Sequence, residues 1–293
     1  MADKSKIKYL LNLIDDRNND IYQKVKIEIE KYGKEIIPEL EIFWANSKNK
    51  LVQHRIEDII KQINFIDIKN EFNKWLKNDR YDLLKATYII SKIRNPDLDI
   101  NNIKKSISKI KDNIWLEFND NLTGLEKVTI LNKIFFGLHN FKTITQLKNI
   151  NLSFLDNLLK TKKGDFFSIS LLYLIIAQSL DMPIYGVNLP NTFILAYKDL
   201  YSDPFNNIIS KNNVLFYINP FLKGRPFNRE QIETYIKQQK LKYKESYFET
   251  TDNIIVIKNY IEYLILFYKR IKINDYILQL EYMLKKIKKS ING

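Results

Sequence analysis

Hydrophobic residues recur every three or four positions through the first third of the chain, a spacing typical of amphipathic helices. One face of the first predicted helix carries Ile7, Leu10, Leu11 and Ile14, and one face of the second carries Ile21, Val25 and Ile29. The turn Asp-Asp-Arg-Asn-Asn-Asp separates these helices, and Tyr32-Gly33 ends the second. Further apolar groups predict helices within residues 37–44, 52–63, 65–76 and 83–93, the last ending before Pro96.

A second pattern begins at Gly164, where the periodicity changes. A glycine turn precedes an apolar helix that runs to Leu180, and strands are predicted near 184–189, 193–199 and 214–219. Asn228 is a good N-cap for a helix at 229–239, and a helical hairpin at 254–270 and 275–288 follows. We therefore predict an α+β fold that is mostly helical, with a small antiparallel sheet.

Composition restricts the chemistry that this chain can perform. The 293 residues include no cysteine, which excludes disulfides, thiolate metal sites and a thiol nucleophile, and which fits a reducing compartment. The N-terminus has no sustained apolar stretch, and the longest apolar run, Ile169–Ala177, is far shorter than the ~20 residues that cross a bilayer. We expect a cytoplasmic protein without a membrane partner.

The net charge of +13 raises the question of a polyanionic partner. The excess is nearly all lysine, and these lysines lie between the apolar positions of helices, where a solvated face places them. Arginine, which forms bidentate hydrogen bonds with phosphates and guanines, is scarce. The pattern disfavours nucleic acid as a partner, although it leaves a basic nucleic-acid binder as a third hypothesis.

Several motifs follow the elements of the second pattern. They read Lys-Lys-Gly-Asp-Phe-Phe-Ser-Ile-Ser from Lys162, Gly-Val-Asn-Leu-Pro-Asn-Thr-Phe from Gly186, and Asn-Pro-Phe from Asn219. The element order resembles the transglutaminase-like core, and the motifs more closely resemble its bacterial SirB-type branch. That branch has Arg-Arg-Gly-Asn-Pro-x-Ser-Leu-Ser, Gly-x-x-Leu-Pro-x-His-Phe and Asp-Pro-Phe. The superfamily places a cysteine at the helix start, then a histidine and an aspartate on the strands.

The resemblance assigns the catalytic slots of the superfamily to residues without titratable groups. The cysteine slot is Phe166, the histidine slot is Thr192 and the aspartate slot is Asn219. The branch usually has proline at the cysteine slot, so the loss of the thiol would be shared by the branch. Thiol-based acyl transfer needs a thiolate, an imidazole base and a group that orients the imidazole. We therefore predict that this chain has no catalytic residues.

The resemblance also suggests a domain organisation. Residues 10–44 resemble one HEAT-type unit, so residues 1–105 are predicted to form a HEAT-like helical domain in which helix pairs stack as an α-solenoid. Residues 106–228 would form the transglutaminase-like domain, and residues 229–293 a TPR-like helical region. Six residues are predicted to line a groove at the former active site: Gly164, Ser168, Ser170, Pro190, Pro220 and Phe221.

These features predict a non-catalytic SirB-type protein with a regulatory or scaffolding role and a protein partner, and with no metal or cofactor. The alternative is an amide or ester hydrolase, or an acyltransferase, in which Ser168 or Ser170 acts with Lys162, Lys163 or a base from another domain. The two histidines, His54 and His139, are expected to be structural. Asn219 and the two serines also have structural interpretations, as caps of turns and helices.

Overall fold

The computed structural model describes residues 4–145, 149–199, 213–274 and 276–292, and most of them are helical. The chain divides into two compact units, residues 1–74 and residues 75–293. No helix of the described ranges combines the length and the hydrophobicity that a membrane span requires.

The described residues of the first unit form helices joined by short connections, with no strand among them. Its helices are α1 (Lys4–Asn12), α2 (Asn19–Glu30), α3 (Ile37–Asn46) and α4 (Lys50–Asn78), of which α4 ends in the second unit. The apolar face predicted for α1 is confirmed, since Ile7, Leu10, Leu11 and Ile14 all lie in the core. The face predicted for α2 is wrong at one position, because Ile21 is exposed and the adjacent Tyr22 is buried.

Helix α4 differs most from the sequence prediction. The two short helices expected within residues 52–63 and 65–76 form a single helix of 29 residues. Its segment contains neither glycine nor proline, and Asn64, the one residue between Ile63 and Phe65, does not end the helix. A series of short helix pairs, as in the predicted solenoid, is therefore not what this segment forms.

The second unit surrounds a small sheet with helices. Its α-helices are α5 (Leu83–Lys92), α6 (Ile100–Trp115), α7 (Gly124–Asn132), α8 (Leu155–Thr161), α9 (Phe166–Ser179), α10 (Arg229–Gln238), α11 (Asn253–Arg270) and α12 (Ile277–Asn292). Its strands are β1 (Lys142–Thr143), β2 (Lys163–Gly164), β3 (Ile184–Val187), β4 (Ile194–Lys198), β5 (Val214–Asn219), β6 (Arg225–Phe227) and β7 (Thr250–Thr251).

Five of these strands form an antiparallel sheet in the order β6-β5-β4-β3-β7. The three predicted strands are confirmed as β3, β4 and β5, within two residues at each end. The predicted cap of α10 is confirmed as well, because Asn228 and Gln231 form a reciprocal capping box. Strands β1 and β2 form a separate parallel pair that leads into α9.

Helix α9 is the centre of the second unit. Every residue from Phe167 to Ala177 is buried, which explains why this helix is apolar on all sides rather than along one stripe. Helices α6 and α8 and strands β3 and β4 all pack on it. The N-terminus of α9, where the motif beginning at Lys162 lies, is therefore held by the surrounding elements.

The helices on either side of the predicted transglutaminase-like domain also pack within this unit. Helix α5 contacts α8 and α11, and α6 contacts α8 and α9, although α5 was assigned to the HEAT-like domain. Helix α11 contacts strand β3 as well as α12, so the C-terminal pair is joined to the sheet through α11. The unit that contains the sheet thus begins at Trp75, well before the predicted boundary at residue 105.

Candidate functional site

The turn into α9 depends on a glycine and an aspartate. A Cβ atom at Gly164 would lie 2.5 Å from the Oγ of Ser168 and 2.9 Å from a methyl group of Leu158, so no larger residue fits without displacing its neighbours. Asp165 then caps the helix, since its side chain accepts a hydrogen bond of 2.7 Å from the backbone N–H of Ser168. The start of α9 is therefore where the motif placed it.

The carboxylate of Asp165 is buried and accepts two more hydrogen bonds. The hydroxyl of Ser153 donates to it at 2.5 Å and the hydroxyl of Tyr263 at 2.6 Å. Burial raises the pKa of Tyr263 well above its ordinary value, and the negative charge of Asp165 raises it further. We call Ser153, Asp165, Ser168 and Tyr263 the capping cluster. It places a negative charge at the positive end of the α9 dipole.

The two serines of the motif have structural partners. The Ser168 hydroxyl donates to the backbone carbonyl of Leu152 at 2.8 Å, and the Ser170 hydroxyl donates to the carbonyl of Phe193 at 3.0 Å. Both serines are almost completely buried. Each hydroxyl thus joins α9 to a neighbouring segment, and the second bond fixes the chain immediately before β4.

The bases proposed for a serine mechanism have other contacts. The Nζ of Lys162 lies 4.6 Å from the ring centre of Phe141, and Lys163 is exposed. Between the residues that the structure describes, no lysine amine or imidazole is hydrogen-bonded to Ser168 or Ser170. The serine–lysine pair that the alternative enzyme requires is therefore not formed within these ranges.

The histidines are also engaged elsewhere. His54, in the first unit, is exposed and its Nε2 lies 3.6 Å from the carboxylate of Asp58. His139 is half-buried, and its Nε2 lies 3.0 Å from the side-chain nitrogen of Asn113. Burial lowers the pKa of His139, and the nearby charge of Lys162 lowers it further. A neutral imidazole is thus favoured at His139.

The residues predicted for the three catalytic slots lie at or near the ends of α9, β4 and β5. Phe166 is the first residue of α9, and its ring packs edge-on against Tyr263 at 5.1 Å between ring centres. Thr192 lies in the turn before β4. Asn219 ends β5, and its side-chain oxygen accepts a hydrogen bond of 3.3 Å from the N–H of Leu222, so it caps the short helical turn Pro220–Leu222.

A cleft with two lobes lies beside Phe166 and Thr192. The lobes have volumes of about 670 and 510 Å³, and we call them together the Arg270 cleft. Both lobes are lined by Phe166, Asn191, Thr192, Tyr263, Phe267 and Arg270. Asn219 lines a separate, smaller pocket of about 190 Å³, which Thr192 and Tyr235 also line. Thr192 therefore borders both spaces, whereas Phe166 and Asn219 border different ones.

The six predicted groove residues divide into two groups. Phe221 lines the larger lobe and Pro190 the smaller one, as a groove at this site would require. Gly164, Ser168, Ser170 and Pro220 are buried and are not among the residues that line the three spaces described above. Their contribution is to the packing and hydrogen bonding behind the site.

Sequence reasoning missed two parts of this site. Tyr263 and Ser153 complete the capping cluster, yet they are separated from Asp165 by 98 and 12 positions and follow no motif. Arg270 lines both lobes, and its only signal was its place in the last turn of a predicted helix. No group of three or more histidine, aspartate or glutamate side chains that could hold a metal ion occurs among the described residues.

Comparison with known proteins identifies the second unit. A family model of the transglutaminase-like superfamily matches residues 101–261, more than half of the chain, from the start of α6 into α11. No curated protein and no solved structure matches the chain. The matched range contains the sheet, α9 and most residues that line the Arg270 cleft. Five lining residues from α11 lie beyond it: Glu262, Tyr263, Leu266, Phe267 and Arg270. This chain belongs to the transglutaminase-like superfamily.

Proposed function

We propose that this protein is a non-catalytic member of the superfamily, from the SirB-type branch, in which the Arg270 cleft binds a protein partner. The observation that carries the proposal is the chemistry of the three slots. Phe166, Thr192 and Asn219 replace the thiol, the imidazole and the carboxylate, so no slot offers a group that exchanges protons near neutral pH.

The surroundings of α9 support this proposal. A thiolate is stabilised at a helix N-terminus because the unpaired N–H groups and the dipole attract negative charge. Here the carboxylate of Asp165 already supplies that charge and accepts the N–H of Ser168. The hydroxyl groups of Ser168 and Ser170 donate to backbone carbonyls, so neither is paired with a base that would take its proton.

The assignment to the SirB-type branch rests on the motifs alone. Gly164, Ser168 and Ser170 stand where the branch has glycine and two serines, and the Leu-Pro pair at Leu189 stands before the former histidine slot. The proposed role is regulatory or scaffolding, because the chain keeps the fold of the superfamily and lacks the groups that catalysis requires. A cytoplasmic location, favoured by the absence of cysteine, belongs to the same proposal.

The proposal is tested by measuring turnover with the purified full chain. We would incubate it with acyl p-nitroanilides, p-nitrophenyl esters and a glutamine peptide with an amine acceptor. We expect rates equal to those of the heat-denatured protein. Turnover that disappears in Ser168→Ala or Ser170→Ala, but persists in the control Ser108→Ala, would contradict the proposal and establish the serine enzyme.

A further inference from the structure

Charged groups in the Arg270 cleft are unequally compensated. Asp165 receives three hydrogen bonds, and Glu262 lies 2.9 Å from the amine of Lys258 and 3.2 Å from that of Lys288. Arg270 also lines the cleft, but its guanidinium forms no ion pair or hydrogen bond with any residue in the described ranges. The uncompensated charge of the cleft is therefore a guanidinium, which matches a carboxylate in geometry and in sign.

Aromatic side chains line the same cleft as Arg270. The larger lobe is lined by five half-buried aromatic side chains, Phe166, Phe221, Tyr235, Tyr263 and Phe267. At the rim of the smaller lobe Leu266 is 69% exposed. Such a lining favours large apolar side chains, since burying them against aromatic rings removes apolar area from water at little cost in side-chain entropy.

The side-chain amides that line the cleft favour a peptide as the ligand over a simple apolar anion. Asn188, Asn191 and Asn259 line the smaller lobe, and none of their side chains is hydrogen-bonded to another described residue. A carboxamide offers a donor and an acceptor together, which is the pair that each peptide group needs. Three such groups beside an apolar wall therefore suit an extended main chain better than a ligand without amide groups.

We infer that the Arg270 cleft binds an extended segment of a partner protein that carries an acidic residue next to a large apolar one. The aromatic lobe takes the apolar side chain, Arg270 takes the carboxylate, and the three asparagines bind the peptide groups. This inference rests on the proposed function, because it names the chemistry of the partner that the cleft would bind.

The test is selection from a library of random dodecapeptides displayed on phage, with the immobilised full chain as the target. We expect enrichment of Asp or Glu within two positions of Phe, Tyr, Leu or Ile. The variant Arg270→Gln should lose the acidic preference, whereas the matched control Arg17→Gln, on an exposed position of the first unit, should keep it. Failure to enrich any peptide, or enrichment without an acidic residue, would overturn the inference.

Synthetic peptides then assign the acidic residue to Arg270. Replacing the acidic residue of the best peptide by its amide should weaken binding to the wild type about tenfold, because the charge-assisted hydrogen bond to Arg270 is lost. The same replacement should hardly weaken binding to Arg270→Gln, because that variant already lacks this bond. The exposed Leu266 provides a second pair: Leu266→Lys should tighten and Leu266→Glu should weaken the binding of the acidic peptide. Equal amide effects in wild type and Arg270→Gln would place the acid elsewhere and refute the inference.

The same peptides separate this inference from the proposed function. Mass spectrometry of each peptide after incubation with the protein would reveal cleavage or acyl transfer. A modified peptide contradicts the non-catalytic proposal even if the acidic preference and its dependence on Arg270 hold. An unmodified peptide whose binding ignores Arg270 contradicts only the inference about the partner.

Discussion

Two groups of polar side chains lie at the Arg270 cleft or directly behind it, and they differ in what they bind. In the capping cluster, the hydroxyls of Ser153 and Tyr263 and the N–H of Ser168 all donate to one buried carboxylate. On the cleft wall, the side chains of Arg270 and of the three asparagines Asn188, Asn191 and Asn259 form no hydrogen bond within the described ranges. Tyr263 joins the two groups, since its ring lines the cleft and its hydroxyl binds Asp165.

The difference separates polar groups that hold the fold from polar groups that remain available to a ligand. A buried polar group costs free energy unless it is hydrogen-bonded, so the capping cluster must be fully paired for α9 to begin where it does. The cleft wall is solvated and has no such requirement. Substitutions in the cluster should therefore change stability, and substitutions on the wall should leave it unchanged.

The largest effect is expected for Asp165→Ala. This substitution removes the helix cap and leaves three donors without their acceptor in a buried site, so it should lower the free energy of unfolding by about 3–5 kcal/mol. Urea unfolding followed by circular dichroism measures it. The matched control is Asp82→Ala, which removes the exposed cap of α5 and should cost about 1 kcal/mol. Equal costs would mean that the cluster is no more than an ordinary cap.

A smaller loss is expected for Gly164→Ala. The added methyl group would lie 2.5 Å from the Ser168 Oγ and 2.9 Å from Leu158, and such overpacking costs about 1–3 kcal/mol. At Gly137 the same substitution meets no atom within 4 Å, so Gly137→Ala should change stability by less than about 1 kcal/mol. If both alanines were tolerated alike, the close packing at the start of α9 would not be what requires glycine.

The elements of the second unit were predictable where the signals are local. Gly164 marked the start of α9, and the turns around Pro190 and Pro220 bounded β4 and β5. Long-range packing left no such local signal. Helices α5 and α6 have the same period as α1 and α2, and a period identifies the face that is buried but not the element that covers it. The period alone therefore does not show that α5 packs on α8 and α11.

The candidate site was predictable to a similar extent. Resemblance to the superfamily located Phe166, Thr192 and Asn219, and Phe221 and Pro190 do line the cleft. Tyr263 and Arg270 could not be inferred, because their helix contributes to the site only through the fold and carries no motif near them. The single helix α4 was missed for a simpler reason: Asn64 separates two apolar groups of residues, but neither glycine nor proline ends the helix there.

The third prediction concerns Tyr263→Phe and high pH. Loss of the hydrogen bond to Asp165 should cost about 1 kcal/mol at pH 7. Because burial and the charge of Asp165 raise the pKa of Tyr263 above its ordinary value of 10.0, the unfolded chain releases this proton at high pH while the folded chain keeps it. The stability contributed by Tyr263 is therefore lost as the pH rises above about 10.

Wild type should accordingly lose more stability between pH 9 and pH 11 than Tyr263→Phe does, by about 1 kcal/mol. Urea unfolding at the two pH values measures the difference. The control Tyr9→Phe, at a residue that is 64% exposed, should follow the wild type. Parallel pH profiles for wild type and Tyr263→Phe would show that folding does not raise the pKa of the Tyr263 hydroxyl.

The smallest effects on stability are expected for two hydroxyl groups, one that is hydrogen-bonded within the fold and one that faces the cleft. Ser170 donates to the carbonyl of Phe193, whereas the Thr192 hydroxyl forms no hydrogen bond with any described residue. Ser170→Ala should therefore cost about 1 kcal/mol, since it leaves a carbonyl unpaired, and Thr192→Val should change the free energy of unfolding by less than about 0.5 kcal/mol. Thr192 is the residue predicted for the histidine slot, and it borders both the Arg270 cleft and the pocket of Asn219. A cost for Thr192→Val as large as that for Ser170→Ala would show that the Thr192 hydroxyl stabilises the fold, in contrast to the side chains of Arg270 and the three asparagines.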